Sequence, residues 1–376
     1  MRILIADSYY PPFLDEHYRA RPGLEERPYP EQLTELISRS FGTGDAYSAN
    51  LRALGHETAD VILNCEPLQL RWARENGLRT AAALRPLGLA PGRLGELGRQ
   101  ATLHAVALAQ IREFEPDVLY LQDLRFFRPG ELRAFRRRGV RVAGQIASVP
   151  PPDAVLRSYD VIFSSLPHFV ERLHGIGVEA EYLSIAFDER VLDRLRGAGV
   201  DPSPDSSRPH DAVHVGGLDP ATHEVRIGLL EQVVPELGIE VWGYGADSLP
   251  AGSPILPAYR GEAWGLDMYA VLADSKIVVN MHEAVAAGNA NNMRLFEATG
   301  AGAMLLTDRG ANLSELFEPG REVVTFDDPE DLVAKVRHYL EHDAERLRIA
   351  AAGQQRTLSE HSYERRMAEL VEILER

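Results

Sequence analysis

VVNMHEAVAAGNANNMRLFEATGAGAMLLT, residues 278–307, decides the architecture. An apolar run ends at Asn280, a polar loop carries His282, Glu283, Asn289, Asn291 and Asn292, and helical spacing begins close to Asn292. Gly300 and Gly302 close the helix, and a second apolar run fills residues 303–307. Two strands of this kind joined by a helix make a βαβ unit of a parallel sheet. Such sheets collect ligands outside the carboxyl ends of their strands, which makes the 281–292 loop a candidate site. The first N–H groups of the helix can receive an anion, or Asn289 or Asn292 can cap them instead. Arg294 offers a charge to phosphate, and Glu297 follows on the same broad helical face, set back where it suits a ribose hydroxyl. The competing account is an Asn-rich surface loop, a capped helix and an ordinary Arg/Glu pair. For Gly300 and Gly302 it is a plain turn into the next strand.

The same rhythm runs on either side. Strands are expected from Val213 and at 239–244, 276–280 and 322–326, and helices at 264–273, 312–317, 329–342 and from 345 to the terminus. Gly216 and Gly217 follow the strand that holds His214, and Arg226 lies on the next helix. Paired glycines let a ligand approach the backbone closely, although ordinary turns use them as well. Tyr244, in the Gly-Tyr-Gly that ends another strand, either stacks on a base or covers the sheet.

In the first half, strands are expected at 2–6, 57–64, 118–121, 141–146 and 161–164, with helices at 29–39, 45–54, 68–76 and 101–114. The Pro, Ser and Asp-rich run GVDPSPDSSRPHD, residues 199–211, reads as the seam between two domains. Asp7 occupies the carboxyl end of the first strand, and Asp123 follows another. From there to Pro30, Tyr9, Tyr10, Phe13, Tyr18 and Tyr29 form either an acceptor-binding lid or a packed loop, with His17 as a base or a hydroxyl-orienting group. Arg133, Arg136, Arg137, Arg138 and Arg141 read as a solvated helix end or as a site for an acidic acceptor or partner.

Composition narrows the class. A chain of 376 residues is long enough for two domains, and 45 % hydrophobic against 26 % charged residues excludes disorder throughout. Forty basic against 56 acidic side chains, a formal charge of -16, disfavours nucleic acid as a partner. Cys65 is the single cysteine, so no internal disulfide forms and a cysteine-based metal site is not expected. No run approaches the length of a transmembrane helix, and MRILIADSYYPP reads as a buried strand rather than a leader, so a cytoplasmic location is expected. Neither HExxH nor a P-loop occurs, and the first strand lacks GxGxxG, which argues against NAD.

The run NANNMRLFEATGAGAMLLTDRGANLSELFEPGREVVTFDDPEDL, followed by AAGQQRTLSEHSYERR, resembles the carboxyl-terminal region of bacterial spore-maturation-type (CgeB-like) glycosyltransferases and, more distantly, the retaining GT-B group. The resemblance implies an α/β GT-B fold, two Rossmann-like domains facing a central cleft. It implies an acceptor domain at 1–200, a nucleotide-sugar domain at 201–355 and a crossover helix at 356–376, in which His361, Tyr363 and Arg365 fix the crossover. The implied activity is sugar transfer from a nucleotide-diphosphate donor, with no metal or other cofactor, to a cell-surface glycan or small molecule. Donor candidates are Gly216, Gly217, Arg226, Tyr244, His282, Asn289, Asn292, Arg294, Glu297 and Glu315. Asp7, Tyr9, Tyr10 and Tyr18 are the acceptor candidates, and His17, Asp123 and Arg294 the catalytic ones. The family's paired glutamates are incomplete, because Asn289 stands eight positions before Glu297. That departure weighs against retention of configuration and supports a noncatalytic sugar-nucleotide-binding protein as an alternative, beside an epimerase or hydrolase of the same two-domain form.

Overall fold

Each short apolar run becomes a strand, and the helix after it covers the sheet. The computed structural model describes residues 1–376. The chain divides into two compact units, Met1–Ser184 with Met367–Arg376, and Ile185–Arg366. No helix is long and apolar enough to cross a membrane.

In the first unit, β1 (Arg2–Asp7), β2 (Glu57–Ile62), β3 (Val118–Leu121), β4 (Arg141–Gln145), β5 (Val161–Ser164) and β6 (Ala180–Tyr182) form a parallel sheet ordered β2-β1-β3-β4-β5-β6. Every residue of β3 and β5 is buried, as strands covered on both faces must be. The strand order reverses at β1, since β2 lies on one side and β3 on the other. Loops leaving β1 and β3 therefore diverge, and the space between their carboxyl ends is a topological switch point.

The second unit repeats the plan with β7 (His210–Val215), β8 (Glu240–Trp242), β9 (Ser275–Asn280), β10 (Met304–Asp308) and β11 (Val324–Phe326), ordered β11-β10-β9-β7-β8 and parallel throughout. Its switch point lies between β7 and β9. Alternate residues enter separate cores, as the two-residue period of a strand requires. Ala212, Ile277 and Leu306 pack with Ile227 and Leu230, whereas Val213, Val278 and Leu305 pack with Leu272 and Phe296.

Three segments differ from expectation. The Tyr/Pro-rich stretch is not a loop throughout: Pro11–Arg19 is a helix. Its two prolines stand at the first positions, where no N–H is needed and a fixed φ favours the turn. The long helix starts at Gly92 and not near 101, and a separate helix, Arg79–Gly88, precedes it. Glycine here is a contact surface and not a breaker. A Cβ on Gly98 would stand 2.5 Å from the Gly88 backbone nitrogen, and one on Gly95 would overlap the Ala90 carbonyl. The terminal stretch is two helices, Asp343–Glu360 and Tyr363–Leu374.

Residues 185–200 belong to the second unit, because the helix Arg190–Gly197 buries Val191, Leu192 and Leu195 in its core. The 199–211 run is thus an internal loop. Buried Arg208 holds it by donating to the carbonyls of Ser203, Leu272, Ser275 and Ala301. The chain passes between units twice, after Ser184 and after Arg366. The segments near both passages pair with each other: Phe187 N donates to His361 O at 2.8 Å, and Tyr363 N to Phe187 O at 3.1 Å. The His361 ring contacts Phe296 and Phe317 and meets Leu316 O at 2.8 Å. The last helix ends in the first unit, with Met367 and Leu370 fully buried and Arg141 donating to Leu374 O at 2.6 Å. Arg136 pairs with Asp160, so two members of the arginine cluster serve the fold.

Candidate active site

In the second unit, β7 ends at Val215 and the chain turns through Gly216 and Gly217. Gly216 N donates to Trp242 O at 3.0 Å and Leu218 N to Tyr244 O at 2.8 Å, which fastens the turn to the loop after β8. This contact leaves no room for side chains. A Cβ on Gly243, at φ +155°, would lie 1.7 Å from Gly216 O, and one on Gly217 would lie 2.2 Å from His223 Nε2. Gly243→Ala is therefore expected to cost about 2–3 kcal/mol by overpacking. A urea melt followed by tryptophan fluorescence checks this, since Trp242 and Trp264 are both in this unit.

Two guanidinium groups meet the same turn. Arg226 Nη1 donates to Gly217 O at 3.3 Å, and its Nη2 to Met281 O at 3.4 Å and to Glu283 Oε1. Arg226 thereby joins both loops of the switch point. Arg294 Nε donates to Val215 O at 3.3 Å, and its Nη1 to Glu297 Oε2 at 2.7 Å. Each cation has a carboxylate behind it. Burial pulls the Arg226 pKa down, opposed by Glu283, yet a guanidinium stays charged at neutral pH. Burial raises the Glu297 pKa, against the pull of Arg294 and of a Tyr269 hydroxyl 3.4 Å from Oε1. For Glu283, burial is outweighed by His223 and Arg226, which hold its carboxyl below the ordinary range.

Histidines complete the cluster. His223 Nδ1 lies 3.0 Å from Glu283 Oε1, where the helix Pro220–Leu237 kinks. His214 Nδ1 faces the Val279 carbonyl at 3.0 Å, so Nδ1 carries the hydrogen and Nε2 is a bare acceptor beside the glycine turn. Burial, with Arg226 as the nearest cation, pushes its pKa down to about 3. His214 is neutral at working pH, and the positive charge of the site rests with the arginines.

The other donor candidates divide. His282 Nδ1 and its backbone N–H both reach Asp308 Oδ1, at 2.6 and 3.0 Å, leaving a buried Nε2 without a partner. Asn292 bridges Asn280 and Met281 O and takes the Leu295 N–H, so the capping alternative holds for it. The expected anion site at this helix start is narrowed as well, because the Leu295 N–H goes to Asn292 and the Phe296 N–H to Met293 O. Asn289 closes a local turn on Ala286 O. Tyr244 stacks on Trp264 at 5.4 Å and meets His223 through its hydroxyl. Glu315 is exposed on the short helix Leu313–Leu316. Gly300 lies against the Phe187 ring, a packing role.

In the first unit, Asp7 and Asp123 come together at the β1/β3 switch point. Ser8 links them: its N–H donates to Asp7 Oδ1 and its hydroxyl to Asp123 Oδ2, both at 2.7 Å. Burial raises the Asp7 pKa to about 7, with Asp123 adding to the rise and the Ser8 bond opposing it. Beside them, Gln122 pairs with Thr43, and Gln145 accepts from Tyr47 and Tyr120 at 2.8 Å each. Tyr9 is buried, with its backbone clamped by Asn64, and Tyr10 is half exposed against Phe41.

Tyr18 and His17 stand elsewhere in function. The Tyr18 hydroxyl donates to Gln32 and accepts from Cys65. His17 is fully buried beside Phe13 and Tyr18 and has no partner on either ring nitrogen, so it has no path to an acceptor's proton. Burial, helped by Arg21 and Arg39, lowers its pKa from 6.5 to about 4. As pH falls, the unfolded chain takes up this proton first, so stability is full above pH 6.5 and is lost progressively toward pH 4. His17→Leu should remove that part of the acid loss and gain about 1 kcal/mol by removing an unpaired polar group. Melting temperatures from pH 4 to 8 check it.

Sequence reasoning missed Ser8, His223, Asp308 and Tyr269, none of which lies in a recognisable motif. No group of three or more His, Cys, Asp or Glu side chains is gathered as a metal ion requires.

A family model described as glycosyl transferase-like matches residues 226–372, which include both site arginines. Among solved structures, HepE from Anabaena in complex with UDP-glucose matches with a TM-score of 0.58 at 12 % identity, over 100 % of this chain and 99 % of that one. The fold is GT-B. Sucrose-phosphate synthase from Thermosynechococcus elongatus (TM-score 0.56, 9 % identity, 100 % and 98 % covered) has the same fold. So has a glycosyltransferase from Rickettsia africae (0.55, 10 %, 99 % and 97 %). No curated protein matches the chain. The GT-B assignment gives each switch point a counterpart in the other unit, one rich in arginine and one in carboxylate.

Proposed function

We infer that the protein transfers a sugar from a nucleotide-diphosphate donor to an acceptor hydroxyl, with the donor on the second unit and the acceptor on the first. One observation carries this reading: Arg226 and Arg294, paired with half-buried Glu283 and buried Glu297 respectively, meet one glycine turn at the switch point of the second sheet. Charge builds on the departing diphosphate during glycosyl transfer, and fixed guanidinium groups stabilise it. The glycosyl transferase-like match and the likeness to a UDP-glucose complex support the reading. His282, with its Nε2 unspent, serves the donor, Asn292 caps the helix start, and Glu297 orients Arg294.

On the first unit, Asp7 accepts the proton of the acceptor hydroxyl, with its pKa raised chiefly by burial and adjusted by Ser8 and Asp123. Tyr9 and Tyr10 flank that position. A calorimetric panel of UDP, GDP, dTDP, CMP and NAD tests the donor half. Binding confined to the diphosphates is expected, and equal affinity for CMP or NAD, or no binding at all, rejects it. Turnover of the bound sugar nucleotide without any acceptor would instead favour the epimerase or hydrolase alternative.

A further inference from the structure

The helical hairpin Arg79–Gly88 and Gly92–Phe114 has chemistry that neither site uses. Around its tip, Leu87, Leu89, Leu94 and Leu97 are 45, 80, 57 and 54 % exposed. They are free to face outward because the two helices meet through glycine: Gly95 and Gly98 touch the Ala90 carbonyl and the Gly88 backbone, so no leucine is needed in the seam. Within Arg79–Gly88 only Ala81 is buried, which leaves most of that helix without a covering partner.

The charge around these leucines is opposite to that of the whole protein. Residues 76–95 contain Arg79, Arg85 and Arg93 and no acidic residue, in a chain of net charge -16. All three arginines are exposed and make no ion pair. The flanking acids are already neutralised, Glu75 by Arg71 and Glu96 by Arg99, at 2.6 and 2.7 Å. A groove of 380 Å³ opens alongside, lined by Leu70, Ala73, Leu78 and Ala82 together with Arg79 and Arg85.

Projecting leucines interleaved with unpaired arginines match the boundary of an anionic bilayer, where acyl chains receive the apolar groups and headgroup phosphates the guanidiniums. We propose that this hairpin docks the protein on anionic lipid membranes, with Leu87, Leu89, Leu94 and Leu97 entering the interface and Arg79, Arg85 and Arg93 on the headgroups. The net negative charge of the chain as a whole is repelled by the same membrane, so binding rests on the local leucines and arginines.

Co-sedimentation with phosphatidylcholine vesicles, with and without phosphatidylglycerol, tests this. Binding is expected only with phosphatidylglycerol and weakening as salt rises. The Leu89→Asp/Leu94→Asp variant should bind at least ~10-fold more weakly, because two inserted apolar groups become anions. Arg85→Glu/Arg93→Glu should bind more weakly by ~10-fold or more, since each arginine near a charged surface contributes several-fold in affinity. All substituted positions are exposed or nearly so, and circular dichroism confirms that each variant is folded. Failure to bind phosphatidylglycerol vesicles, or equal binding to pure phosphatidylcholine, overturns the proposal. So does a wild-type dimer in light scattering that the leucine variant converts to monomer, because the leucines would then cover a second copy of the chain.

Discussion

Arg294→Ala is expected to lower kcat/KM for a nucleotide-diphosphate sugar by about 10²–10³-fold, the usual cost of losing one preorganised group that stabilises developing charge. The side chain is held from two directions, by Val215 O and by Glu297, so its charge is in place before the donor arrives. Removing it also strands a buried carboxylate, which by itself destabilises a protein. Two companions separate these effects. Glu297→Gln keeps the cation but loosens it, and should weaken UDP binding while the fold survives. Arg294→Met/Glu297→Gln removes the buried pair together, and should restore stability without restoring turnover. Comparing UDP with 2′-deoxy-UDP distinguishes orientation of Arg294 from direct ribose contact by Glu297, because only direct contact is blind to the missing hydroxyl after Glu297→Gln. Unchanged kcat/KM in a folded Arg294→Ala protein would remove the arginine from the diphosphate site.

Asp7→Asn should reduce kcat by about 10²–10⁴-fold, the range for loss of a general base. In the wild type, activity should climb as pH rises through about 7, where Asp7 loses its proton, and this limb should be absent from the variant. Asp123→Asn should move the limb to lower pH, because the neighbouring charge that helps hold the Asp7 proton is gone. Stability moves the opposite way. The unfolded chain releases the Asp7 proton near pH 3.8 and the folded one near 7, so this residue erodes stability across that window and the penalty is full above it. Asp7→Asn should therefore melt higher than wild type at pH 8, by roughly 2–4 °C for each kcal/mol recovered, and show no gain at pH 3. A variant that loses activity while gaining stability marks a strained functional residue. NMR of the product anomer gives the decisive control: a base on the acceptor goes with inversion, and retention excludes it.

The strands and the polar loops that follow them were legible in the sequence. Strand ends at Asp7, Asp123, Gly216 and Asn280 were legible because a parallel strand is an apolar run with a sharp polar end. What was not legible depended on long-range contact. His223, Arg226 and Glu283 meet only because β7 and β9 are neighbours, although Glu283 stands far along the chain from the other two. His17 reads as a reactive loop residue until a helix turns it into an aromatic wall. The 199–211 run misled in another way: its composition marks a loop, but a domain boundary is set by where neighbouring apolar groups pack, and Val191, Leu192 and Leu195 pack forward. The hairpin at 79–114 was not legible because its seam is made by Gly88, Gly95 and Gly98, which carry no apolar periodicity to mark a buried face.

The return of the last helix to the first unit bears on how the protein is made. That unit lacks Met367, Leu370 and the partner of Arg141 until the end of the chain has been synthesised. Roughly 180 residues separate its two segments, which at about 5–20 residues per second is a wait of ~10–40 s on the ribosome. During that interval the first unit lacks its last helix, while the whole of the second unit is being synthesised. A nascent chain stalled or cleaved shortly before Met367 would thus expose the first unit, the earlier one to be synthesised, to chaperones and proteases.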